Sequence, residues 1–168
     1  MIAVSSLGHR GSPIRWDDVQ FTRDYDKWLA YAQSKTANAL FAVQLDEFGA
    51  RDGLRAFSVQ PGKISTPLAL HITHAEMVAA GWIDEQGTLL DPTFKTPEQG
   101  TATQVWAATS PLLAGLGGLY CEDCDVARAT TGDADAGVHP HAIDPEQAER
   151  LWKLSAELTG VDAFASRV

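Results

Sequence analysis

"WLAYAQSKTANALFAVQL" (residues 28–45) holds a tyrosine and a lysine, Tyr31 and Lys35, near the start of an uninterrupted helical pattern. Ala30, Ala37, Leu40, Phe41, Val43 and Leu45 supply apolar positions, and no proline or glycine breaks the run from Leu29 to about Gly49. Residues four apart share one face of a helix, so Tyr31 and Lys35 point the same way. An ammonium beside a phenol favours the phenolate, which draws a tyrosine toward the range where it exchanges protons at neutral pH. Spacing alone is also met by a plain solvated helix face.

Upstream, "MIAVSS" (residues 1–6) is a short apolar run ending in serines, the pattern of a buried strand that opens into a loop. Ser6 then lies at a carboxyl end, where open α/β sheets bind their ligands, and its hydroxyl could hold a substrate oxygen beside Tyr31. Residues 7–28 are rich in Gly, Pro, Asp and Arg and read as a loop. Downstream, residues 54–60 of "LRAFSVQPG" form an expected strand closed by Pro61 and Gly62. "TPEQGTATQVWAATSP" (96–111) predicts a helix capped by Thr96, with Pro97 in its first turn. "GGLYCEDC" (117–124) predicts a short strand, and "DPEQAERLWKLSAELTG" (144–160) a last helix between an Asp144 cap and Gly160. Strand–helix alternation of this kind predicts one α/β domain over residues 1–168. Its strands near 1–6, 54–60 and 118–121 should be parallel neighbours, joined by right-handed crossovers.

The bulk properties exclude several classes. The 168-residue chain carries a formal net charge of −9, which repels phosphate backbones, so no nucleic-acid partner is expected. No apolar run approaches the roughly 18 residues of a membrane span, and the first residues lack the pattern of a signal peptide. A cytoplasmic location is the expectation. Cys121 and Cys124 do not make a disulfide scaffold. Together with His139 and His141 they resemble a metal-ligand list, but the single residue between the histidines is too short for a familiar zinc finger. Buried structural cysteine is the reading for Cys121, and no metal is expected. Ser6, His9 and Asp17 suggest a hydrolase triad, yet the G-x-S-x-G turn is absent. His71, His74 and Glu76 read as lid lining or surface, and Trp82, Trp106 and Trp152 as packing.

"AVSS", "YAQSKTAN" and "SVQPGKIST" occur in this order, each on the element where it is wanted. Together they resemble the short-chain dehydrogenase/reductase family over nearly the whole chain. The long loop between Ser6 and Tyr31, "SKTAN" and "GGLYCEDC" resemble its retinol-dehydrogenase-like and protochlorophyllide-reductase-like branch. The resemblance implies a catalytic set of Ser6, Tyr31 and Lys35. It also implies a site for NAD or NADP that uses Tyr31, Lys35, Pro61, Gly62, Ile64 and Thr66. The implied activity is NAD(P)-dependent conversion between an alcohol and a carbonyl. A lid over about 66–93, bearing Leu68, Leu70, Met77 and Trp82, implies a small apolar substrate.

The chain departs from this family in lacking the glycine-rich strand–turn–helix that holds the cofactor pyrophosphate. It reads as the C-terminal half of a Rossmann-type doubly wound sheet. A first strand without its usual neighbour would expose an edge and favour self-association. The alternative function is therefore a catalytically silent fragment that acts only through binding or self-association.

Overall fold

A computed structural model describes residues 1–132, 134 and 136–165 of the chain; the side chain of Leu68 lies outside the described residues. Four strands form the main sheet: β1 (Ile2–Val4), β2 (Phe57–Gln60), β5 (Leu119–Glu122) and β6 (Asp125–Val126), in the order β1-β2-β5-β6. β1–β2 and β2–β5 are parallel, with Val4 opposite Val59 and Val59 opposite Cys121. The expected parallel trio is therefore present. The antiparallel β6 was not expected. It follows a tight turn in which Asp123 and Cys124 both take positive φ (48° and 58°), without the glycine that usually marks such a hairpin.

Three helices flank the sheet: α1 (Lys27–Gly49), α3 (Pro97–Thr109) and α4 (Pro145–Thr159). Side-chain alternation along the strands separates two layers. Phe57, Val59 and Cys121 pack with Ala107 of α3 and Leu113. Tyr120 packs on the opposite face with Ala39 of α1, Val138 and Ala142. A third cluster, Leu40 with Ile14 and Ala148, joins α1 to α4. The result is a three-layer α/β/α arrangement with strands buried on both faces. Trp106 packs against the first cluster, and Trp152 stacks on Phe41 at 5.4 Å.

Two boundaries move from their expected positions. α1 begins at Lys27 rather than Leu29, because the Asp26 carboxylate accepts the Trp28 and Leu29 amides, both at 2.8 Å. β2 begins at Phe57 rather than residue 54, because its preceding amides already have partners. The Leu54 amide donates to the Gly49 carbonyl at 3.0 Å, and the Ala56 amide to Asp46 Oδ1 at 2.9 Å. The caps expected at Thr96 and Asp144 are made, the first as a capping box with Gln99.

The segment from 66 to 93 carries the short helix α2 (His74–Ala79). Its base is a two-stranded parallel sheet of β3 (Lys63–Ile64) and β4 (Phe94–Lys95), with Trp82 edge-on to Phe94. Lys63 pairs with Asp91 at 2.6 Å, and Lys27 of α1 pairs with Glu76 of α2 at 2.5 Å. Glu76 also accepts from the Thr73 amide and hydroxyl, and these partners, Lys27 foremost, pull its carboxyl down to about 2. This segment is thus tied at its base and against the first turn of α1.

Candidate functional site

Ser6 follows β1 directly and caps a single 3₁₀ turn over Leu7–Gly11. Its Oγ accepts the Gly8 amide at 3.1 Å, which leaves the hydroxyl hydrogen free to donate elsewhere. Its carbonyl oxygen is held from three sides: by the His9 amide (3.1 Å), by His9 Nδ1 (2.7 Å) and by the Tyr120 hydroxyl (3.0 Å). The preceding Ser5 is buried and donates to the Lys35 carbonyl at 2.7 Å, fixing the end of β1 against α1.

Gly8 brings Ser6 and Tyr31 together. A Cβ built there would stand 2.6 Å from Tyr31 Cε1 and 3.5 Å from Ser6 Oγ. The Tyr31 ring therefore lies on the glycine backbone beside the serine hydroxyl, a closeness that any side chain at position 8 would prevent. The Tyr31 hydroxyl makes no hydrogen bond to a described residue. Lys35 lies on the same face of α1, its Nζ 5.3 Å from the centre of the Tyr31 ring. Nζ also reaches the Val4 carbonyl at 3.5 Å, and Asn38 donates to that same oxygen at 2.8 Å. Burial lowers the lysine pKa, and among the described residues no carboxylate lies within ion-pair distance of Lys35. The sequence reading did not single out Asn38, Gly8 or Tyr120 for roles here, and it considered His9 only as a triad member. "YAQSKTAN" places Asn38 one turn beyond Lys35, the only signal available in advance.

Pro61 and Gly62 lie at the carboxyl end of β2, next to the end of β1. Gly62 has φ of 94°, and its amide is turned toward the Gln60 side chain. Ile64 packs against Gly100 of α3, where a Cβ would lie 1.9 Å from Ile64 Cδ1. The Thr66 carbonyl accepts the Ala69 amide at 3.0 Å where the 66–93 segment begins. Four of the six expected cofactor residues thus follow β2, while Tyr31 and Lys35 stand over the neighbouring end of β1.

The remaining candidates are occupied in other ways. Cys121 is fully buried, and burial pushes its thiol up to about 11. Cys124 is exposed on the β5–β6 turn. His139 and His141 surround His9, with ring centres 5.8 and 6.3 Å from it. No group of three metal-ligating side chains converges among the described residues. The triad suggested by Ser6, His9 and Asp17 does not form. His9 faces the Ser6 carbonyl rather than its hydroxyl, and Asp17 is exposed and pairs with Arg23 at 3.6 Å. No helix among the described residues is long and apolar enough to cross a membrane.

No family model matches the chain. It is 46% identical over 162 residues to a "Probable oxidoreductase" of Streptomyces lividans, covering 94% of this chain and 54% of that protein. It is 32% identical to "Short-chain dehydrogenase/reductase prx1" of Penicillium roqueforti, over 94% of this chain and 46% of the relative. It is 30% identical to "Retinol dehydrogenase 12" of Homo sapiens, over 96% of this chain and 46% of the relative. An uncharacterized protein from Mycobacterium paratuberculosis, known by crystal structure, superposes with a TM-score of 0.60 at 26% identity, over 96% of this chain and 50% of that one. The chain thus spans about half the length of the curated relatives it matches. Three ordered motifs, a parallel β1-β2-β5 sheet and these relatives agree: the chain belongs to the short-chain dehydrogenase/reductase family.

Proposed function

We propose that the chain supplies the substrate and nicotinamide half of an NAD(P)-dependent oxidoreductase acting on an alcohol or carbonyl group. The observation that carries this reading is the meeting of Ser6 Oγ and the Tyr31 ring over Gly8, with the Lys35 ammonium 5.3 Å from that ring. Ser6 has one lone pair engaged by the Gly8 amide, so its hydroxyl donates to the substrate oxygen. The Tyr31 hydroxyl passes the proton to or from that oxygen. Lys35, half-buried with no carboxylate partner among the described residues, stands beside the Tyr31 ring and offers its N–H groups to ribose hydroxyls. When bound, the nicotinamide supplies or accepts the hydride. Pro61, Gly62, Ile64 and Thr66 would line its binding path after β2. The residues present fit that end of a dinucleotide. None of the strand-to-helix connections in the described residues carries the glycine-rich turn that would hold the pyrophosphate. The apolar Leu70, Met77 and Trp82 of the 66–93 segment favour a small apolar substrate.

The test is saturation-transfer NMR of the chain with NAD(H) and with NADP(H). Weak binding is expected, with the strongest transfer to the nicotinamide and its ribose, and Lys35→Met should reduce that transfer at least about 5-fold. Transfer to the adenine alone, or transfer untouched by Lys35→Met, would sink the assignment.

The free edge of β1 favours a second reading, self-association. β1 is the outermost strand of the main sheet. Its Met1 carbonyl and Ser5 amide bond to β2, so the backbone groups of Ile2 and Val4 face away from the sheet. Asn38 and Lys35 cover one of these, the Val4 carbonyl, while Val4 as a whole remains 43% exposed. Strand pairing between copies would cover the rest. Sedimentation should then show a concentration-dependent dimer that Val4→Lys dissociates. A monomer at all concentrations would remove this reading and leave the first untouched.

A further inference from the structure

The 3₁₀ turn after β1 contains a histidine that the proposed chemistry does not use. His9 is fully buried, and each polar atom of its ring has a partner. Nε2 accepts the backbone amide of His139 at 3.0 Å. An amide can only donate, so Nε2 carries no proton and the neutral ring carries its proton on Nδ1. Nδ1 therefore donates to the Ser6 carbonyl at 2.7 Å, with the Tyr120 hydroxyl 3.1 Å away and itself bonded to the same carbonyl. The histidine's own carbonyl is also fixed, accepting from the Thr36 hydroxyl of α1 (3.0 Å) and from His141 Nε2 (2.9 Å). Four parts of the fold thus meet at His9, which in turn holds the Ser6 carbonyl: the 3₁₀ turn, α1, β5 and the connector before α4.

We propose that His9 is a positioning residue for Ser6, locked as the neutral Nδ1–H tautomer between the His139 amide and the Ser6 carbonyl. This rests on the reading of Ser6 as donor to the substrate oxygen. The physical argument concerns direction. The Ser6 hydroxyl swings about a peptide plane, and three donors fix that plane through its carbonyl oxygen. With the plane fixed, the Gly8 amide can engage one lone pair of Oγ and leave the hydroxyl hydrogen free to meet a ligand.

The clamp has a defined acid limit. Protonating His9 would put a second N–H on Nε2, donor against donor, facing the His139 amide. The charged groups around the ring add to this penalty: Arg10 on its own turn, and His139 and His141 on the connector, when protonated. Tyr120, facing it from β5, has its pKa raised by burial and stays neutral, and the nearest contact from α1, Thr36, carries no charge. Burial, the largest cause, brings His9 down to about 4. A histidine whose folded pKa lies below its unfolded value contributes stability that is complete above the unfolded pKa near 6.5. That contribution falls away as the pH drops toward the folded value of about 4.

The experiment is ¹⁵N NMR of the full chain with labelled histidine, alongside His9→Asn, His9→Gln and Tyr120→Phe. The wild-type His9 ring should show a protonated Nδ1 and a bare Nε2 from about pH 8 down to about pH 5, with no titration near the usual histidine value. The Gly8 amide, which reports the Ser6 cap, should exchange slowly. In His9→Asn the amide Nδ2 can take the place of Nδ1–H, and Gly8 exchange should stay within about 3-fold of wild type. His9→Gln places its amide near the Nε2 position instead, and exchange should rise at least about 10-fold. Tyr120→Phe removes one of the three donors and should fall between them. A ring protonated on Nε2, a ring titrating near its usual value, or Asn and Gln variants that behave alike would overturn the clamp. Failure of the underlying reading looks different: the clamp would be intact, yet Ser6→Ala would leave alcohol–carbonyl turnover unchanged.

Discussion

Tyr31→Phe is expected to lower kcat for alcohol–carbonyl interconversion by about 10²–10⁴-fold, the usual contribution of a positioned proton donor. The substitution removes one oxygen and nothing structural. The contacts with the Gly8 backbone are made by ring carbons Cε1 and Cδ1, which phenylalanine keeps. The Lys35 ammonium still faces an aromatic ring. No described residue loses a hydrogen bond, because the Tyr31 hydroxyl makes none. The midpoint of unfolding should therefore move by less than about 0.5 kcal/mol in free energy. KM should change far less than kcat, since the lost interaction acts in the transition state. The measurement is steady-state turnover with a nicotinamide cofactor, in the chain itself and in a chimera carrying the part of the Streptomyces lividans relative that this chain does not span. Undiminished kcat in an active Tyr31→Phe protein would remove Tyr31 from the chemistry. A chimera that never turns over, with a folded wild-type chain, would favour the silent-fragment alternative.

Much of the frame behind this expectation was legible before any coordinates. Parallel β1, β2 and β5 follow from strand–helix alternation, and the caps at Thr96 and Asp144 from short local patterns. Tyr31 and Lys35 share a face because helical spacing requires it. What the sequence hid was the polar part of the interior. α1 buries Gln33, Thr36, Gln44 and Asp46 among its apolar residues, which blurs the periodicity that would have marked its faces. At least three of them serve backbone groups of segments distant in sequence. Gln33 accepts the Arg15 amide and donates to the Val19 carbonyl, Thr36 donates to the carbonyls of His9 and Ser12, and Asp46 accepts the Ala56 amide. Such partners are chosen by tertiary proximity, and no local pattern announces them. The same holds for His9. Its role depends on an amide 130 positions away, whereas sequence adjacency to Ser6 suggested a triad that the ring orientation rules out. The β5–β6 hairpin was missed for a different reason: its turn places Asp123 and Cys124 at positive φ where glycine or asparagine would have signalled it.

Asp46→Ala should cost about 3 kcal/mol of stability and leave the Tyr31 face unaltered. Asp46 sits near the end of α1 remote from Tyr31, where three elements meet. Oδ1 accepts the buried Ala56 amide at 2.9 Å just before β2, and Oδ2 pairs with Arg55 at 2.8 Å. Arg55 in turn donates to the Leu116 carbonyl at 2.9 Å ahead of β5. Gly117 leaves room for the carboxylate, since a Cβ there would lie 1.9 Å from Oδ1. The Asp46 side chain is 10% exposed and the Arg55 side chain 33%, so water reaches the arginine more readily than the carboxylate. Removing the carboxylate strands a buried N–H and leaves the arginine unpaired, and the two penalties add. Arg55→Ala removes only the wetter partner and should cost less, about 1–2 kcal/mol. Asp46→Asn keeps an acceptor for the Ala56 amide while losing the charge, and should fall between the other two. For a domain of this size a loss of 3 kcal/mol corresponds to a melting temperature lower by about 6–12 °C, or a urea midpoint lower by about 1–3 M. Thermal and urea unfolding of the three variants supply the ranking. If Asp46→Ala costs no more than Arg55→Ala, the Ala56 amide has found another partner and the junction is held by packing alone. If it also alters nicotinamide binding, the two ends of α1 are coupled in a way that the separate hydrogen-bond sets at Ser6 and at Asp46 do not provide.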